Sequence, residues 1–145
     1  MNASDPDINT SWDGLLEYRW DFDNDGDLDI IISHLDKNGT PVLLRNDGGN
    51  SNHWLGITLE GKGGSEISAK VTVIAGGKKH VLINQWTTSY LANNDPRMHV
   101  GLGQAKKIDH MEISWTDGKK ETYENIDCDR YITIKEGQGI IKNKN

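Results

Sequence analysis

Five aspartates alternate along one short stretch, Asp21-Phe22-Asp23-Asn24-Asp25-Gly26-Asp27-Leu28-Asp29. Carboxylate oxygen is the ligand that hard divalent cations prefer, and calcium takes six to eight such oxygens. In a nine-residue loop, Asp21, Asp23 and Asp25 occupy positions 1, 3 and 5, and Gly26 at position 6 permits the sharp bend that alternate ligation requires. Asp27 at position 7 offers its backbone carbonyl, and Asp29 at position 9 closes the sphere. The register is set by the glycine: a loop begun at Asp23 would put Leu28 at the bend. A helix–loop–helix calcium hand would carry Glu at position 12, where this chain has Ile32 in a strand-like run. The expected site is therefore a Ca2+ site between two strands. A solvated acidic turn needs only one or two Asp, and five carboxylates this close repel one another until a cation joins them. Magnesium fits less well, because it demands a near-ideal octahedron and dehydrates reluctantly.

Other residues able to do chemistry are scattered. Trp86 and Tyr90 bracket Thr87, Thr88 and Ser89 in a loop-like stretch, an aromatic platform with hydroxyl neighbours of the kind that takes a sugar or a protein partner. Plugging the end of the fold is the plainer use of the same rings. The five His show no HxH or HExxH spacing for zinc. Asp95-Pro96-Arg97 with His99 reads as a turn that leads into a strand. Glu112, Glu121 and Glu124 do not announce the converging pair that a glycosidase uses, and Ser89 lacks a GxSxG setting. Cys128 is the sole cysteine, so no internal disulfide forms.

The elements that must position these groups read as strands. Leu15–Trp20 leads into the acidic loop and the β-branched run Leu28–His34 leads out. Asn38-Gly39 signals a hairpin returning through Val42–Arg45, and the Gly/Asn-rich Asn46–Asn52 marks a boundary. Beyond it, His53–Glu60 places Leu55, Ile57 and Leu59 on one face, and Lys70–Ala75 and His80–Asn84 flank the turn Gly76-Gly77. Asp109–Trp115 lines up Met111, Ile113 and Trp115; Asp117-Gly118 turns into Lys119–Asn125; Arg130–Lys135 alternates through Ile132 and Ile134. Period-two patterning between closely spaced turns predicts an all-β fold.

The chain has 145 residues and a net charge of −6, and 26% of its residues are charged. The acidity is local: residues 1–50 carry 11 acidic and 3 basic residues, while residues 51–145 carry 11 acidic and 13 basic. An acidic front with no compensating basic face argues against nucleic acid as a partner. No apolar run approaches the ~18 residues of a spanning helix, so no membrane insertion is expected. Residues 1–5 have neither a basic nor an apolar region and read as no signal peptide.

The run Trp20–Ile30 and the following Leu43-Leu44-Arg45-Asn46-Asp47-Gly48-Gly49 resemble the calcium loop and the end of an FG-GAP/VCBS repeat, one blade of an integrin-type β-propeller. From Asn52-His53-Trp54-Leu55 to Glu136 the chain resembles the ASPIC/UnbV domain. The matching pieces are Ala69-Lys70-Val71-Thr72-Val73, Ser89-Tyr90-Leu91, Asn94 to Gly103, Glu112-Ile113-Ser114-Trp115 with Asp117-Gly118, and Ile132 to Glu136. Ser68 stands where that family usually has Gly, Trp86-Thr87-Thr88 replaces a Gly-rich stretch, and Thr116 replaces a Pro. The resemblance implies secretion, calcium, and an accessory or adhesive role, as in secreted propeller proteins of the cartilage acidic protein type. It implies no catalytic residues.

The expectation is thus an antiparallel β-sandwich or barrel preceded by one partial propeller-blade-like calcium-loop hairpin. Residues 1–13 form a tail, 14–50 the single repeat, 51–137 the sandwich, and 138–145 a second tail. The function expected is a calcium-binding, non-catalytic extracellular adhesion or interaction module, a C-terminal fragment of a larger secreted protein, with a protein or glycan partner. Two alternatives stand beside it: a carbohydrate-binding module using Trp86 and Tyr90, and an accessory domain of a biosynthetic enzyme. Nothing in the pattern sets the oligomeric state.

Overall fold

A computed structural model describes residues 15–34, 40–48, 51–85, 87–89 and 92–141. Asn38-Gly39, Trp86, Tyr90 and the first tail fall outside the described residues; the expected second tail is corrected in part, because Gly139–Ile141 is a strand paired with Thr133–Lys135, and only residues 142–145 lie outside. Among the described residues every regular element is a strand. β1 (Leu15–Trp20), β2 (Asp29–His34) and β3 (Val42–Leu44) make a three-stranded antiparallel sheet with β2 in the middle. After it come β4 (His53–Glu60), β5 (Lys70–Ala75), β6 (Lys78–Ile83), β7 (Thr87–Ser89), β8 (Ala92–Asn93) and β9 (Met98–Gly103). β10 (Lys107–Ser114), β11 (Lys120–Asp127), β12 (Arg130–Lys135) and β13 (Gly139–Ile141) complete the order.

Two four-stranded sheets, in the orders β11-β10-β5-β6 and β13-β12-β4-β9, form a sandwich, and β7 and β8 pair as a short ribbon. The expected all-β sandwich is present, and no barrel closes among the described residues. One pairing departs from the antiparallel expectation: β4 and β12 run parallel, with Ile57 opposite Ile132. Parallel neighbours need a long crossover, and here the whole of the other sheet supplies it.

Alternation explains the core. Val71 and Val73 on β5 face Ile113 and Met111 on β10 in register, and all four are fully buried. Leu55 and Ile57 on β4 and Ile132 and Ile134 on β12 supply the opposite layer. A one-residue slip would turn any of these sets outward, so the buried pattern fixes the register. Between β5 and β6 the turn is two residues long, with Gly76 and Gly77 at φ 54° and 74°. That is the primed turn whose twist matches a hairpin, and two consecutive positive φ values are why two glycines stand there.

One end of the sandwich is locked by Glu136, whose side chain is almost fully buried. Its carboxylate accepts from Lys119 Nζ at 2.6 Å, Ser65 Oγ at 2.5 Å and the Lys62 amide at 2.8 Å. Those donors, Lys119 first, outweigh desolvation and hold the carboxyl near pKa 2 instead of 4.5. The folded state therefore releases this proton more readily than the unfolded chain. The stabilisation is complete above the ordinary carboxylate range and is lost as pH falls from about 4.5 to about 2. Melting temperature followed against pH should drop less steeply across that window in Glu136→Gln than in the wild type. Parallel curves would show that Glu136 is not a source of the acid sensitivity.

Strand β4 has one feature the core does not explain. Leu55 and Ile57 face inward, yet Trp54 and Gly56 on the opposite face are buried as well. Something covers the outside of this sheet.

Candidate metal centre

The cover is the acidic loop. β1 and β2 pair up to Trp20 opposite Asp29, and the chain between them turns through Asn24 at φ 61° and Gly26 at φ 96°. Asn is among the few side-chain-bearing residues that visit this region readily. The aspartates organise the backbone around themselves. Asp21 Oδ2 accepts the Gly26 amide at 2.9 Å, and Asp25 Oδ1 accepts the Asp27 amide at 2.9 Å. Asp29 accepts the Phe22 amide at 3.0 Å and the Asn46 amide at 2.8 Å. The last bond ties the chain leaving β3 to the first residue of β2.

This folding brings Asp21, Asp23 and Asp29 together, each with a ligand oxygen within 4.8 Å of the others. Asp21 and Asp29 are buried and Asp23 is exposed, so the cluster is walled on one side and open on the other. The other two expected ligands stand outside the trio. Asp25 is half-buried and turned to its own loop backbone, while Asp27 is buried. Around the trio, Arg45 lies 3.7 Å from Asp23 and pairs more closely with Asp47.

One atom tests whether a cation fits. Asp21 is only 1% exposed, and its Oδ1 has no hydrogen-bond partner. A buried carboxylate oxygen without a donor is costly, the more so beside two other carboxylates. A hard cation relieves both costs at once, and an all-oxygen donor set suits calcium better than a thiolate- or imidazole-seeking metal. The residues present fit the ion.

The sandwich contributes the other half of the setting. His99 on β9, Gly56 on β4 and Tyr131 on β12 stand in one row across the sheet. A Cβ at Gly56 would lie 2.1 Å from the Tyr131 ring, so the glycine makes room for the tyrosine. Tyr131 tilts against Trp54 with centroids 4.9 Å apart, and His99 stacks on Trp54 with centroids 5.6 Å apart. Gly26 then lies directly on the indole. His99 Nε2 is 2.8 Å from the Gly26 carbonyl, which can only accept, so this nitrogen carries the proton.

Two of these side chains reach Asp21 itself. The Tyr131 hydroxyl donates to Asp21 Oδ2. Burial, and then that bond, raise the phenol's pKa well above its usual range, so it remains a donor at neutral pH. Arg97 lies 4.0 Å above the Tyr131 ring and donates to the Asp21 carbonyl at 2.9 Å and Asn24 Oδ1 at 2.5 Å. Its fork is held from behind by Asp95, which also accepts the Arg97 amide at 2.9 Å. The expected turn at Asp95-Pro96-Arg97 is real, and it aims the guanidinium at the loop. Asp95 in turn donates its amide to the Arg19 carbonyl at 3.0 Å, tying this segment to β1.

The remaining candidates have local partners. Glu112 meets Lys120, Glu121 accepts from Tyr123 and the Gly137 amide, and Glu124 lies near His110. His53 pairs with Asp129. Trp86 and Tyr90, the expected aromatic platform, lie outside the described residues. Trp54, Arg97, His99 and Tyr131 were not legible as partners of the loop. The one available signal was Arg97 and His99 beside Asp95-Pro96, which indicated a polar turn without indicating what it faced.

Comparison with known proteins places these observations in a family context. The family described as ASPIC and UnbV matches residues 60–141. Cartilage acidic protein 1 of Mus musculus is 33% identical over 102 residues, covering 68% of this chain and 16% of its own length. The Homo sapiens protein of the same name is 32% identical over 102 residues, covering 68% and 15%. That of Xenopus tropicalis is 31% identical over 121 residues, covering 81% and 18%. The chain thus spans less than a fifth of the length of the curated relatives it matches.

Proposed function

This chain belongs to the ASPIC and UnbV family, and from that premise we propose that it is a calcium-binding, non-catalytic extracellular interaction module. Residues 14–50 act as a single FG-GAP/VCBS-type repeat, and residues 51–141, β13 included, as the sandwich that carries it. Two observations support calcium: Asp21 Oδ1 is buried and unpartnered, and Asp21, Asp23 and Asp29 each bring a ligand oxygen within 4.8 Å of the others. The bound ion supplies positive charge to three converging carboxylates. Asp21 and Asp29 hold it from the two ends of the loop, and Asp23 closes the open side. Asp25 and the Asp27 carbonyl are near enough in sequence to complete the sphere.

The placement argues for a structural use of the ion. Asp29 is bonded to the chain leaving β3, and Asp21 to side chains of β12 and the turn before β9. An ion shared by both aspartates fixes the β1–β2 corner against the sandwich. Loops at the far edges are left to meet a protein or glycan, and the acidic front disfavours nucleic acid. The relatives' shared name points to extracellular use.

Calorimetric titration of calcium into the chelator-stripped chain tests the proposal. One ion per chain is expected, with a dissociation constant of about 10⁻⁴–10⁻³ M or tighter, as for extracellular modules and sensors. Asp21→Asn should weaken it by at least tenfold, and magnesium should bind far less well. A flat titration in a folded sample would end the calcium reading.

A further inference from the structure

We infer that the sandwich sets the loop's grip on its cation, with Tyr131 and Arg97 as the positioning residues. The inference deepens the calcium proposal and rests on it. Asp21 presents three acceptor groups, and their partners come from different places. Oδ2 takes the Gly26 amide from within the loop and the Tyr131 hydroxyl from β12. The backbone carbonyl takes Arg97 Nη2 from the turn before β9. Oδ1 takes nothing. A carboxylate can rotate to offer either oxygen. With Oδ2 held by two donors and the carbonyl by a third, only Oδ1 is free to face Asp23 and Asp29.

The two positioning groups are themselves fixed. Tyr131 sits over Gly56, against Trp54 and under Arg97, so its hydroxyl has one place to be. Arg97 is forked by Asp95, whose side chain is 6% exposed. Outer hydrogen bonds of this kind orient a ligand and tune its basicity, and their loss typically costs about 10–100-fold in metal affinity. The coupling is reciprocal: if docking on the sandwich favours the cation, the cation favours docking by the same factor.

Tyr131→Phe keeps the ring and its packing and removes only the hydroxyl. The dissociation constant for calcium, measured by calorimetry on the full chain, should rise about tenfold. Its melting temperature in chelator should fall only by what one lost hydrogen bond to a carboxylate costs, whereas a merely structural tyrosine would lower that melting temperature and leave the dissociation constant unchanged. Arg97→Lys keeps the charge but cannot fork to Asp21, Asn24 and Asp95 together, and it should weaken binding as well. If Tyr131→Phe fails to fold, Arg97→Lys carries the test alone. A wild type that binds calcium while the folded variants stay within twofold of it overturns this inference only. A wild type that takes up no calcium overturns the calcium proposal and this inference together.

Discussion

Stripping calcium from the chain will lower its melting temperature by several degrees. At one hundred times the dissociation constant, a ligand that binds only the folded state stabilises it by about 2.7 kcal/mol. For a chain of this size each kcal/mol moves the midpoint by roughly 2–4 °C, so a shift of roughly 5–10 °C is expected. Without the ion, Asp21, Asp23 and Asp29 keep their charges at close range, and Asp21 Oδ1 has no donor. The loss is local in origin. The loop lies on Trp54 and Tyr131, while Val71, Val73, Met111 and Ile113 belong to the other sheet of the sandwich. Chelation should therefore raise hydrogen exchange first in β1, β2 and the turn before β9, with β5 and β10 following only at global unfolding. Thermal melts with and without chelator, repeated in magnesium, measure the shift. Asp21→Asn should show the same low midpoint in both conditions. Identical midpoints for the wild type would reduce the loop to an acidic turn.

Much of the fold was legible because the sandwich obeys period two. Leu15–Trp20, His53–Glu60, Lys70–Ala75 and Arg130–Lys135 were readable to the residue, since turn or loop residues bound each run and, in the sandwich strands, core residues recur at every second position. Gly76-Gly77 was readable because its chemistry admits few other uses. Short or glycine-bearing strands were less so. Gly139–Ile141 is too brief to show alternation, and in Met98–Gly103 the buried Met98, Val100 and Leu102 do alternate, but two of the three positions between and after them are glycine, which weakens a strand reading. The parallel pairing of β4 with β12 was hidden because alternation names the buried face of a strand and not its neighbour. Ser68 is a smaller case: the family resemblance places Gly there, and the residue sits at φ 61°, where Gly is the natural occupant.

The acidic loop was legible as a loop and not as a surface. Spacing treats every second aspartate as equivalent. The fold gathers Asp21, Asp23 and Asp29, because positive φ at Asn24 and Gly26 turns the chain twice and Asp25 caps the Asp27 amide. What lies beneath came from residues 54 to 131, far along the chain, and no local pattern connects them. The burial of Trp54 and Gly56 on a face that should meet solvent was the first sign of it.

Gly26→Ala will be among the most damaging single-methyl changes in this chain, and calcium will not rescue it. Two costs coincide at this position. The backbone sits at φ 96°, outside the regions open to alanine, which costs about 1–2 kcal/mol. The new Cβ would also lie 2.0 Å from Trp54 Nε1 and 2.1 Å from its Cε2. The indole cannot step aside, because His99 stacks on it and Tyr131 packs against it. Overpacking of this kind adds about 1–3 kcal/mol. The loop must lift instead, and lifting breaks the bonds from His99 to the Gly26 carbonyl and from Tyr131 and Arg97 to Asp21. The melting temperature should fall by at least as much as on chelation of the wild type, and added calcium should recover little of it. Gly101→Ala is the matched control: it lies on β9, two residues from His99, with no atom within 4 Å of its added Cβ, and should change stability by no more than about 0.5 kcal/mol. Trp54→Phe in the Gly26→Ala background should recover part of the loss, giving a coupling between the two sites that neither substitution shows alone. Additive effects, or a Gly26→Ala chain that still binds calcium with wild-type affinity, would show that the loop does not depend on the sheet beneath it.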